Sequence, residues 1–313
     1  MMGRRWWQNQ MAESRLTLPV SVVTFLVVRA LEGMTDSLTA VGGALLCLAT
    51  AAVMLETNVG LQLLRVRSRL GESLWLLMAA AMPWLYPLDS AAVCAFCLAC
   101  ALGLLLCCYQ SRTAVTWVFH CFLFLGVGCL FAPVMLPLSL MFYLCLALFM
   151  RAFSWKAFWA GVVGLFTPCW CWTLWEACMG DVTRVPARLT ELWLAAVPQD
   201  GLSLLPDGRL LPVWGMLVLA SVVGFVHYMR KRYDDKIRTR MMCYVYVYVT
   251  LFLHAAFLLL PSSRTEVLAM LAVSCSPLLA HYWAMVGGRV GQVMLLLCLA
   301  VWAGVLAVSF LAV

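Results

Sequence analysis

The sequence predicts an all-α fold: a polytopic transmembrane helical bundle of about eleven spans, N-terminus cytoplasmic and C-terminus outside. Three observations carry this. Of the 313 residues, 65% are hydrophobic and only 11% charged. An average soluble domain is roughly 45–50% apolar and about 25% charged, so this chain has too little polar surface to cover a soluble core. Apolar runs of about 20 residues, the length of helix that crosses a bilayer with its backbone groups satisfied, recur from end to end. Finally, the basic residues collect in the short connections between those runs.

The first span, Leu16–Leu31, follows a basic start, "MMGRRWW", and so mimics a secretory leader. Arg29 and Glu32 stand where small residues would prepare a cleavage site, so the segment is read as a retained span. Trp6 and Trp7, directly after Arg4 and Arg5, suit a segment lying on the inner leaflet. The next spans are Leu38–Leu55, Leu74–Leu88 (interrupted by Pro83), Ala91–Tyr109, Ala114–Leu130, Leu136–Met150 and Phe158–Leu174. The connections "YPLDS" (86–90) and "FAP" (131–133) are long enough only to turn. Pro137 and Pro168 fall within spans and are expected to kink them. In "AGVVG", Ala160, Gly161 and Gly164 share a helix face on which a neighbour can approach closely. Trp170, Trp172 and Trp175 make an aromatic belt where the seventh span reaches the outer face.

Residues 176–209 form the longest polar connection and are placed outside. Pro186 can open a helix in which Leu189, Leu192, Trp193 and Ala196 share one face and Arg188 and Glu191 another, an amphipathic helix lying at the interface. Spans resume at Leu210–Met229, Met242–Leu260, Val267–Met285 and Gln292–Val313, and residues 1–313 read as a single integral-membrane domain.

Between the eighth and ninth spans, "RKRYDDKIRTR" (230–240) concentrates six basic side chains. With the N-terminus inside, inner segments hold sixteen basic residues and outer segments four, Arg184, Arg188, Arg209 and Arg264. Retention of positive charge on the cytoplasmic side orients helices during insertion, so 230–240 is a cytoplasmic turn. Asp234 and Asp235 are expected to pair with the basic residues around them, at about 0–1 kcal/mol in a solvated loop. Tyr244, Tyr246 and Tyr248 alternate with valines as a strand would, but beside a basic turn they read as a belt at the inner interface. The net charge of +7 therefore reports topology, and no nucleic-acid partner is expected.

The four histidines, His120, His227, His254 and His281, all lie in spans, where ionisable groups are functional suspects. His120, His227 and His281 fall in one inner layer, which fits a metal or proton site. Against this, no helix carries a histidine pair at i, i+4 and no carboxylate is evident to orient a ring, so interhelical hydrogen bonding is the other reading. No metal and no cofactor is assigned. The cysteines of "CAFCLAC" (94–100) behave as small hydrophobes on a packing face. Cys169, Cys171 and Cys178 lie near the outer face, and no disulfide is assigned to them.

The outward charges compose a second candidate. Arg29, Arg184 and Arg188 are suited to clamp a phosphate, pyrophosphate or lipid headgroup. Glu32 or Asp36 is the candidate catalytic carboxylate, taking a proton from an acceptor hydroxyl. The competing reading has Arg29 snorkelling to the headgroups and the others solvated. No phosphate-binding glycine loop, dinucleotide fingerprint, H-E-x-x-H or G-x-S-x-G occurs, so soluble nucleotide or hydrolase chemistry has no support.

The run from "LLRVRSRLGESLWLLMAAAMPWLYP" through "MRAFSWKAFWAGVVGLFTPCW" resembles an uncharacterised family of polytopic inner-membrane proteins of Gram-negative bacteria. That resemblance implies the bacterial cytoplasmic membrane as location, with the lipid bilayer as surroundings. "LVVRALEGMTD" (26–36) is similar, more distantly, to the first-span ending of membrane glycosyltransferases that use polyprenyl-phosphate sugars. It implies a part in lipid-linked glycan or envelope assembly on the outer face, with a polyprenyl-phosphate-linked substrate and with Glu32 or Asp36 as the catalytic carboxylate. The alternative is a transporter or a non-enzymatic membrane scaffold, whose polar groups would line a path through the bundle or scatter.

Overall fold

The structure is a computed structural model that describes the chain except for residues 1–6, 32–37, 64–67, 86, 112–113, 181–182, 197–207 and 312–313. Its described helices are α1 (Trp7–Glu13), α2 (Thr17–Leu31), α3 (Leu38–Leu61), α4 (Leu70–Ala80), α5 (Ser90–Cys107), α6 (Ala114–Cys129) and α7 (Met135–Leu148). They continue as α8 (Trp155–Met179), α9 (Arg184–Ala196), α10 (Leu211–Lys231), α11 (Ile237–Leu259), α12 (Arg264–Met285) and α13 (Arg289–Leu311). No strand occurs among the described residues.

Each of the predicted apolar runs contains a helix. Seven of the described helices, α3, α5, α8 and α10 to α13, are long and apolar enough to cross a membrane. The apolar helices α2, α4, α6 and α7 are shorter, at 15, 11, 16 and 14 residues. An 11-residue helix is about 16 Å long against a hydrocarbon core of about 30 Å. The third run shows why it stops early. Pro83 has no N–H and disfavours helix at the residue before it. The last amides of the helix accordingly tighten, Ala81 N to Met78 O and Met82 N to Ala79 O, and a 3-10 turn follows at Pro83–Leu85. Since all of α4 except Leu77 is buried, its short length is enclosed by protein.

α12 is the axis of the bundle. All but a few of its residues are buried, and α1, α4, α5, α10 and α11 pack around it. Its composition permits this: Ala269, Ala272, Ser274, Cys275, Ser276, Ala280 and Ala284 let neighbouring backbones come close. By contrast, α8 and α13 leave most of their apolar side chains exposed at the periphery. Pro277 lies inside α12 and deprives the Val273 carbonyl of its helical donor. The Ser276 hydroxyl donates to that carbonyl at 3.3 Å.

The glycines of α8 serve packing, as their spacing predicts. A Cβ at Gly164 would collide with the Phe119 carbonyl of α6, and one at Gly126 of α6 with the Leu165 carbonyl of α8. Gly161 makes room for Tyr143 of α7, whose hydroxyl donates to the Phe158 carbonyl at 2.9 Å. Pro168 lies within α8. Pro137 does not interrupt α7: it stands in the first turn, where an amide has no helical acceptor to lose. α8 closes on Gly180 in the left-handed region at φ 82°. α9 then packs against α8 and the turn at Pro261–Ser263.

Candidate functional site

The end of the bundle that carries the basic turn gathers the end of α3, the start of α4, the end of α10, the start of α11 and the end of α12. The chain leaves α10 through a 3-10 turn, Arg232–Asp234, and then extends at Asp235 (φ −89°, ψ 152°). This change of direction separates two adjacent aspartates. Asp234 stays outside, 3.6 Å from Lys231 with both side chains about 60% exposed, as a solvated pair should be. Asp235 turns inward and is buried against α12, where its Oδ2 accepts from His281 Nε2 at 3.0 Å. The exposed pair with Lys231 matches the expectation for Asp234, whereas the described partner of Asp235, His281, is 46 residues away.

His281 is enclosed on all sides. The His227 ring of α10 lies 5.7 Å from it and the Tyr228 ring 5.9 Å, centroid to centroid. Tyr228 is itself buried, and its hydroxyl donates to the Arg240 carbonyl at 2.8 Å, joining α10 to the start of α11. On another side α4 presents Glu72, 1% exposed. Asn58 of α3 holds it in place: Asn58 Nδ2 donates to Glu72 Oε1 at 3.0 Å and to the Ser68 carbonyl at 2.8 Å. Gly71 of α4 faces Ala280 and Pro277 of α12, where an added Cβ would make ordinary van der Waals contact at 3.9 Å.

Glu72 and His281 line one cavity of about 30 Å³, together with Asn58, Cys243 and Tyr246. A water needs about 10–15 Å³ of such space and two to four polar partners, so the cavity accommodates about two waters and nothing of metabolite size. A second cavity of about 30 Å³ on the other side of α12, between Met78, Met216 and Trp302, is lined almost wholly by apolar groups. A cavity of that character stays dry. Burying two carboxylates and two imidazoles costs several kcal/mol per charged group unless they are paired and hydrogen-bonded. Of these four groups, Glu72 and His281 line the cavity.

No family model matches the chain, and neither the curated proteins nor the solved structures give a match.

Polar contacts continue along α12 away from this end. Thr250 Oγ1 of α11 donates to Ser274 Oγ at 3.1 Å, and His254 of α11 lies 3.0 Å from Ser221 Oγ of α10. At the opposite end Ser90 of α5 donates to Glu266 Oε1 at 2.7 Å, and Thr265 Oγ1 to Oε2 at 3.0 Å. Glu266, Ser274 and His281 thus mark three levels on one helix, about 12 Å and about 10 Å apart at 1.5 Å per residue.

The outward charges singled out from the sequence are placed as follows. Arg29 is buried, its Nη2 donating to the Leu85 carbonyl at 3.2 Å and its guanidinium 4.6 Å from the Phe25 ring centroid. It is folded into protein and does not snorkel. Arg184 begins α9 and is exposed. Glu32, Asp36 and the side chain of Arg188 lie outside the described residues. The three-histidine layer reduces to two, since His120 is exposed and bonded to the Thr116 carbonyl of its own helix at 2.8 Å. Among the described residues no group of three or more His, Cys, Asp or Glu is placed to hold a metal ion. Cys169, Cys171 and Cys178 are free thiols. The tyrosine series divides by helix geometry: Tyr246 is buried at the cavity, whereas the rings of Tyr244 and Tyr248 lie tilted against Phe149, centroids 5.6 and 4.9 Å away.

Proposed function

We propose that this is a multi-pass protein of a bacterial cytoplasmic membrane, with eleven crossing helices and an N-terminus inside, that moves a solute coupled to proton binding at the inner end of α12. The observation that carries the reading is the buried His281–Asp235 pair, whose imidazole residue lines the same cavity as the buried Glu72. Ionisable groups inside a membrane bundle are expensive and mark proton or ion pathways. Imidazole is the side chain whose unperturbed charge change falls nearest neutral pH. The size of the cavity favours a proton, carried on side chains and water, over a sugar or an isoprenoid phosphate. The polar levels at Ser274 and Glu266 support a route toward the outer face. Transfer from a polyprenyl-phosphate sugar at Glu32 or Asp36 draws less support, because Arg29, its proposed phosphate clamp, turns onto Leu85 and Phe25.

Orientation is tested with a reporter that fluoresces only in the cytoplasm. Inserted after Asp234 it is expected to light the cell, and inserted after Asp200 to stay dark; the reverse pattern overturns the topology. Function is tested by comparing cellular solutes in deletion and overproducing strains, with and without a protonophore. A several-fold difference in at least one solute is expected to collapse with the protonophore, and His281→Gln is expected to match the deletion. If no protonophore-sensitive difference appears, or if His281→Gln restores the full phenotype, proton-coupled transport is excluded as the role of this site.

A further inference from the structure

Two atoms at the inner cavity stand out. Glu72 Oε2 and His281 Nδ1 are each buried with no hydrogen-bond partner among the described residues, on side chains 1% and 2% exposed that line the same cavity. Leaving such an atom unsatisfied costs about 1–3 kcal/mol. Each belongs to a side chain whose other polar atom is fixed: Asn58 occupies Glu72 Oε1, and Asp235 occupies His281 Nε2. An Nε2–H held by a carboxylate leaves the Nδ1 lone pair as an acceptor. The cavity has the volume for water, and Asn58, Glu72, Tyr246 and His281 are the polar side chains in its otherwise largely apolar lining.

We propose that water in this cavity joins Glu72 to His281, so that Glu72, water, His281 and Asp235 form a single proton relay. This deepens, and rests on, the proton-coupled reading of the same site. In one passage the Glu72 O–H breaks as water takes its proton, and water passes a proton to Nδ1, forming an N–H. The Nε2–H then breaks as Asp235 gains an O–H. One proton moves from Glu72 to Asp235 and the negative charge moves the opposite way. Asp235 is the aqueous port, because its neighbours Asp234 and Lys236 on the turn are exposed. Glu72 is the inward port, at the foot of α4. Among the described residues, His227, Tyr228, Cys243 and Tyr246 are further titratable groups beside the relay, and the cations Arg69 and Lys231 act on Glu72 and His227. Asn58 acts as a positioning residue, since it holds Glu72 and stands outside the path.

The test is infrared spectroscopy of the full chain in lipid nanodiscs at neutral pH. A protonated-carboxyl band is expected that shifts in heavy water, disappears in Glu72→Gln and changes position in His281→Asn. A band that persists in Glu72→Gln, or that ignores His281→Asn, overturns the relay. Should Glu72→Gln fail to fold, isotope-labelled glutamate in the otherwise unaltered chain assigns the band, and His281→Asn alone decides the coupling. The expected bands without a protonophore-sensitive solute difference in cells leave the relay standing and remove transport. A solute difference that survives with the bands absent does the opposite.

Discussion

The Gly164→Val substitution is expected to force α6 away from α8 and to lower the stability of the purified protein by about 1–3 kcal/mol or more. The atom that a new Cβ meets is the Phe119 carbonyl oxygen, part of a helix backbone, so no rotamer change can relieve the contact. Overpacking against a flexible side chain is absorbed locally; against a backbone it moves a helix. The measurement is thermal unfolding in detergent, with membrane yield as a second readout. Gly215→Ala is the control, since nothing lies within 4 Å of a Cβ there. Replacing a helical glycine by alanine is intrinsically favourable by about 1 kcal/mol, so the control should be neutral or slightly stabilising. Equal melting losses in the two variants would show that close packing at Gly164 is not what holds α8 in place.

The second large effect is expected at His281. His281→Leu keeps the volume and removes the donor to Asp235, a hydrogen bond to an ionised group worth about 1.5–3 kcal/mol. A melting-point loss of that size is expected, and a double-mutant cycle with Asp235→Asn should show coupling of about 0.5–3 kcal/mol. Strictly additive losses would mean that the 3.0 Å contact contributes nothing to stability. The same variant also loses Nδ1, which has no hydrogen-bond partner among the described residues, so the two variants separate the stability of the pair from the proposed relay: Asp235→Asn retains the imidazole, His281→Leu does not.

These two effects differ in how far they could be read from the chain alone. The spacing of Gly161 and Gly164 is local information, and a small-residue face on an apolar helix implies close approach wherever its partner lies. The helical runs were legible for the same reason, since bilayer-length hydrophobicity is written in consecutive residues. The partnership of Asp235 with His281 is not local. Asp235 follows Asp234 in a run of charges, and composition assigns both to solvent; only the backbone turn after the 3-10 segment divides them. Glu72 follows a run of arginines in the sequence, although it already stands two residues inside α4. The signal for it was an acid at the start of an apolar run, which hydropathy averages conceal. The centrality of α12 was equally hidden, because a helix surrounded by protein and one surrounded by lipid can be equally apolar. Its serines and alanines were the trace of that position.

Pro277 gives α12 a mechanical property that its neighbours lack. One rung of the backbone ladder is missing there, and a serine hydroxyl stands in for it at 3.3 Å. The segment below bears His281, the segment above is clasped by Ser90 and Thr250, and the two are joined through the weakest rung of the helix. Tilting at that joint would carry the imidazole across the cavity while the segment above stayed still, so one proline sets the place where this rod flexes.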